Sequence, residues 1–182
     1  MIRLEQFGLN DFDQLIGWIT DETLLTDWSG GLFNFPLTRE SLQWYIDDTN
    51  IAGSSDAFVY KAVDTETGNT IGHISLGGLS WKNRSARITR VLIGNSAERN
   101  KGCCKAMLEA ILKIGFEELK LHRISLGVYD DNIAAIKCYA KSGLKEEGLS
   151  RDILWHNNAW RSMVEMSMLE DDWFALKQPV EN

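Results

Sequence analysis

Val91-Leu92-Ile93-Gly94-Asn95-Ser96-Ala97-Glu98-Arg99-Asn100-Lys101-Gly102-Cys103-Cys104 joins the apolar end of one segment to the start of another with helical periodicity. The first three residues read as the close of a strand. Beyond Gly102 the stripe Cys104, Met107, Leu108, Ile111, Leu112, Gly115 and Leu119 predicts a long amphipathic helix from Gly102 to Leu121. A helix begins with backbone N–H groups that lack internal partners, at the positive end of its dipole. Such a turn is an anion site, and a glycine there lets a phosphate approach the backbone closely. Arg99, Lys101 and Lys105 add positive charge around it. Neither Gly-x-x-x-x-Gly-Lys-[Ser/Thr] nor Gly-x-Gly-x-x-Gly after the first strand occurs, which argues against a P-loop and a Rossmann dinucleotide site.

Working outward from this junction, Asn10 or Asp11 caps a helix carrying Phe12, Leu15, Ile16 and Ile19. An aromatic loop through Trp28, Phe33 and Phe35 follows, then a helix from Thr38. The Thr-x-x-Ser spacing there is not read as a capping box, so the start is approximate. Ala57–Val63 and Thr70–Leu79 form a hairpin around Gly68-Asn69, and Ser85–Ile93 is a third strand. Arg123–Tyr129 alternates Ile124, Leu126 and Val128 on one face. Asp131 or Asn132 caps a short helix that ends at Gly143. Leu144–Trp155 and Ala159–Leu169 make a last hairpin. The order ααβββαβαββ implies an α/β (α+β) fold, with a mixed, mainly antiparallel central sheet of about seven strands flanked by helices. One domain over 1–182 is expected, with an acidic helical region at 1–56 and the sheet-bearing core at 57–170.

Charge refines this picture. Of 182 residues 25% are charged and the net charge is −7, yet residues 1–56 hold ten acids against two bases. Lys82 to Lys105 holds seven bases and one acid. That stretch suggests a bound polyanion, and the acidic front third suits a cationic partner. An acidic chain has no broad basic footprint, so nucleic-acid binding is disfavoured. No apolar run reaches membrane-spanning length and the N-terminus lacks a secretory pattern, so a cytoplasmic protein without a membrane partner is expected. Cys103, Cys104 and Cys138 fit neither a disulfide framework nor a zinc site, and the three histidines are scattered, so no metal is expected.

Arg99-x-x-Gly102-x-Cys104 resembles the [Arg/Gln]-x-x-Gly-x-[Gly/Ala] signature of the GNAT superfamily of N-acetyltransferases. The segment Asn132-x-x-Ala135-x-x-x-Tyr139-x-x-x-Gly143-Leu144 is similar to that superfamily's second signature, with Leu144 where phenylalanine is usual. The resemblance covers roughly residues 1–170 and leans toward the branch of ribosomal-protein and polyamine N-acetyltransferases. It implies acetyl-CoA as acyl donor and a splay between the fourth and fifth strands. Backbone at Val91, Leu92 and Ile93 would pair with the pantetheine arm. The turn Arg99, Asn100, Lys101, Gly102, Cys103 and Cys104 would hold the pyrophosphate, and Asn132 would bond the pantetheine. Tyr139 would be the general acid, and the Leu92 or Ile93 N–H would donate to the oxyanion. Candidates for the base are Asp27, Glu22 and His73, and Asp27, Trp28 and Phe33 are candidates for the acceptor pocket.

The implied reaction is direct attack by a primary amine, on a small molecule or a protein N-terminus, by a monomer or homodimer. A non-catalytic acyl-CoA-binding module or sensor is the alternative, and a phosphate-binding protein unrelated to CoA is a third reading.

Overall fold

The computed structural model describes residues 1–94 and 102–178. Seven strands form one sheet in the order β1-β2-β3-β4-β5-β7-β6. They are β1 (Ile2–Gln6), β2 (Phe58–Asp64), β3 (Thr70–Ser80), β4 (Ser85–Ile93), β5 (Arg123–Tyr129), β6 (Lys145–His156) and β7 (Ala159–Leu169). Every neighbouring pair is antiparallel except β4 and β5. A parallel pair needs a long crossover, supplied by α4 (Cys103–Lys113) and its π-helical continuation Ile114–Glu118. The other helices are α1 (Phe12–Trp18), α2 (Glu22–Ser29), α3 (Arg39–Ile46), α5 (Ile133–Lys141) and α6 (Glu170–Lys177).

Two apolar clusters hold these elements together. Met107, Leu108, Ile111, Leu112 and Phe116 pack with Ile74, Leu76, Ile124 and Leu126 from the sheet. Phe12, Leu15, Leu25, Trp28, Phe33, Leu42 and Tyr45 form the second cluster, with Val59 and Leu92. The helical stripe read from Cys104 onward is the face that buries. At its far end the chain widens to a π turn, where Leu119 N–H donates to Ile114 O at 2.9 Å. Gly115 sits in that turn, where a Cβ would lie 2.3 Å from Ile124 Cδ1 and the isoleucine tip would have to move aside.

Four features differ from the sequence expectation. β1 adds the seventh strand: Ile2 to Gln6 pairs with Asp64 to Tyr60, so the 1–56 segment is not wholly helical. Half of the expected aromatic loop is α2, whose N-cap Asp21 accepts from Leu24 N–H at 2.8 Å. Thr38 and Ser41 do close a reciprocal cap: each hydroxyl accepts from the other residue's N–H at 3.2 Å. The serine hydroxyl performs the back-bond usually made by a longer carboxylate. Finally, α6 docks through Trp173, which stacks on Phe116 at 5.9 Å between centroids.

Candidate active site

The ladder between β4 and β5 runs only from Ser85↔Arg123 to Arg87↔Ser125, although both strands continue beyond it. The two strands part there. The opening contributes to a cleft of about 290 Å³ lined by residues of β4 and β5, the end of α2, Asn132 and Tyr139 at α5, and Met163 of β7.

A bulge re-aims β4 beside this opening. Thr89 pairs with Ser75 and Leu92 with His73, so Arg90 and Val91 together oppose Ile74. Arg90 adopts φ 53°, and its carbonyl accepts from the Trp28 indole Nε1 at 3.0 Å and from His73 Nδ1 at 3.1 Å. One irregular residue thus ties α2 and β3 to the cleft wall. Further along, Gly94 N–H donates to Ile71 O at 2.9 Å. Backbone groups alternate along a strand, so the Leu92 amide also faces β3, whereas the Ile93 N–H faces the opened side.

Gly102 caps α4 with φ 82° and ψ 0°, a left-handed conformation that favours glycine. Among the described residues no atom lies within 4 Å of where a Cβ on Gly102 would stand. Among the described residues no side chain caps α4, and Ala106 N–H bonds Gly102 O, so the N–H groups of Cys103, Cys104 and Lys105 have no acceptor within the helix. Arg99, Asn100 and Lys101 lie outside the described residues. Of the basic run, Arg84 bonds Glu170 and Arg87 bonds Glu165, so that charge is not gathered at the α4 turn.

Asn132 caps α5, its Oδ1 accepting from Ala135 N–H at 3.2 Å. Tyr139, about two helical turns further on, is 7% exposed and lines the cleft. Burial pushes its phenol well above the ordinary tyrosine range, with Cys104 and Cys138 adding to the rise. The hydroxyl makes no hydrogen bond among the described residues. Cys138 Sγ contacts Cys104 Sγ at 2.6 Å, bridging α5 and α4.

A family model described as an acetyltransferase (GNAT) domain matches residues 2–145. The chain belongs to the GNAT acetyltransferases.

Among GNAT relatives, this chain is 32% identical to the uncharacterized N-acetyltransferase YnaD of Bacillus subtilis (strain 168) over 79 residues, 43% of this chain and 46% of YnaD. It is 21% identical to the aminoglycoside N(6')-acetyltransferase type 1 of Klebsiella pneumoniae, covering 81% of this chain and 75% of that protein. The matches to the first curated relatives span about half of their length. The fold matches the spermidine N-acetyltransferase from Vibrio cholerae, solved in complex with CoA and spermine. The TM-score is 0.81 at 20% identity, over 95% of this chain and 98% of that one.

Within this GNAT fold the sequence candidates separate. Val91, Asn132, Tyr139, Asp27 and Trp28 share the cleft. Leu92 is buried in the second apolar cluster, and Phe33 is buried there too, stacked on Trp28 at 5.6 Å. Phe33 instead borders a separate groove with Pro36 and Trp44. The candidate bases are poorly disposed for proton abstraction. Asp27 is bonded to Arg161 at 2.5 Å, and Glu22 sits in the first turn of α2 away from the cleft lining. His73 is 1% exposed, walled in by the rings of Phe7, Trp28 and Tyr45. Sequence reading missed Thr89, Arg90, Tyr129 and Met163 as lining residues.

Burial lowers the His73 pKa from 6.5 to about 4, ahead of the opposing bond to Arg90 O. Above pH 6.5 the ring is neutral folded and unfolded, so it adds no pH dependence. Between pH 6.5 and 4 only the unfolded chain takes the proton, so stability should fall by about 3 kcal/mol and level off below pH 4. Urea unfolding at pH 7 and 4.5 checks this. His73→Gln should flatten that decline, and an unchanged slope in the variant would refute the assignment.

Proposed function

We propose that the protein transfers an acetyl group from acetyl-CoA to a small primary amine, by direct attack within a ternary complex. The carrying observation is the coincidence of three features: β4 and β5 part, α4 begins at a left-handed glycine without a cap from any described side chain, and Tyr139 lines the cleft where the strands part. These residues fit the donor chemically. The uncapped turn from Gly102 to Cys104 suits a diphosphate, and the unpaired edge of β4 at Val91 and Ile93 suits the amides of a pantetheine arm. Asn132 stands at the same cleft to bond that arm. Arg99, Asn100 and Lys101 complete the expected anion turn in sequence.

Acetyl-CoA supplies an activated acyl carbonyl and a thiolate leaving group. The Ile93 N–H supplies the donor for the tetrahedral oxyanion, a role that the direction of the Leu92 amide leaves to its neighbour. Tyr139, held protonated by burial, acts as hydrogen-bond donor and acid toward the departing sulfur. Among the described residues no cysteine lines the cleft, which favours direct attack over an acyl-enzyme. With Asp27 engaged by Arg161 and His73 sealed away, the amine's proton leaves to water. The rate should therefore climb with pH toward the amine's own pKa near ~10, without an enzyme inflection around pH 6–7.

The test follows CoA release from acetyl-CoA across a panel of primary amines. Intersecting initial-velocity lines are expected. Parallel lines, or no heat-stabilisation of the protein by acetyl-CoA, would overturn the reading.

A further inference from the structure

Three charged residues line the cleft: Asp27, Arg87 and Arg90. Two are ion-paired within the protein itself. Asp27 bonds Arg161, which also holds Asp131 at 2.7 Å and stacks over the Tyr129 ring at 3.9 Å. Arg87 Nη2 donates to Glu165 at 2.9 Å. Arg90 differs. Its guanidinium lies 4.9 Å from the Tyr45 ring centroid, Nη1 donates to Thr89 Oγ1 at 2.9 Å, and Nε is buried without an acceptor. Among the described residues no carboxylate pairs with it.

A partly buried cation without a counter-charge is costly to keep, and a guanidinium fork matches a carboxylate in shape and charge. Arg90 is also held by the bulge that shapes the cleft wall, next to Val91, where the thioester arm is expected. We infer that Arg90 is the anion subsite for the acceptor, so that the acceptor is a small primary amine that also bears a carboxylate. This rests on the proposed acetyl transfer. Of the acids in residues 1–56, Asp11 bonds Lys61, Asp13 bonds Arg39 and Asp21 caps α2, and Asp27 is the one that lines the cleft. The triad Asp27–Arg161–Asp131 carries one excess negative charge, which suits the ammonium end of a zwitterion.

The test measures kcat and KM for the twenty L-amino acids, their C-terminal amides and spermidine, using the full chain with acetyl-CoA. At least one amino acid should exceed its own amide about tenfold or more in kcat/KM. Arg90→Gln should erase that preference by raising KM for the carboxylate form while leaving the amide's KM in place, and Arg90→Lys should retain part of it. Thermal melting of both variants separates this from loss of fold, since misfolding would depress both forms alike. Preference for amides or spermidine, or equal effects of Arg90→Gln on carboxylate and amide, would overturn the inference while leaving acetyl transfer standing. Failure of acetyl-CoA to bind, or absence of turnover across the whole panel, would remove it as well, the first by removing the proposed function itself.

Discussion

Tyr139→Phe is expected to lower kcat about 100-fold or more while leaving the affinity for acetyl-CoA within about twofold. The ring stays, so the apolar contacts of α5 with the core persist and the fold should tolerate the change. What leaves is one hydroxyl that makes no hydrogen bond among the described residues and that borders the cleft. A phenol pushed upward by burial remains protonated throughout the working pH range, so in the proposed reaction it would act as donor and not as base. Loss of that donor should be felt when the sulfur departs, not when the coenzyme docks. Calorimetry of acetyl-CoA binding beside steady-state kinetics reads both quantities. Undiminished kcat would show that water alone protonates the thiolate, and a collapse in affinity would make Tyr139 a binding residue instead.

The second large effect concerns stability. Phe116→Ala should cost about 3–5 kcal/mol, a substantial share of the 5–15 kcal/mol typical of a folded domain. Phe116 is 1% exposed and sits in the π turn, with Trp173 stacked on its ring. The Trp173 indole donates to Glu117 at 3.0 Å, and Lys177 bonds the same carboxylate. Removing the phenyl ring leaves a void beneath α6 and loosens the stack that docks it, while the polar bonds around it cannot follow inward. Urea midpoints of wild type and variant, read by tryptophan fluorescence, supply the comparison. A loss below about 1 kcal/mol would mean that α6 settles into the gap.

The parts legible in the sequence are those with sustained periodicity. β4, β5 and β7 fall where alternation and turn residues place them, and α4 follows its apolar stripe from the glycine onward. β1 escaped because five residues, Ile-Arg-Leu-Glu-Gln, offer two apolar side chains at an edge, too short a run to distinguish a strand. α2 was hidden by Gly30, Gly31 and the aromatics beyond it, although Asp21 before Glu22 was a usable capping signal. α6 buries Trp173 alone, so it carries no stripe to read. At the site, Gly102, Asn132 and Tyr139 belong to spaced motifs and were named for that reason. Arg90 was visible only as one of seven bases. Its placement depends on a bulge that turns one carbonyl toward Trp28 and His73, and no local pattern announces a bulge opposite Ile74.

The short ladder between β4 and β5 has a mechanical consequence. Beyond Arg87 and Ser125 no backbone bond joins the two lips, so spreading them breaks no sheet hydrogen bond. The three paired positions fix the strands at one end, and at the other their separation is set by side-chain packing and not by a backbone ladder.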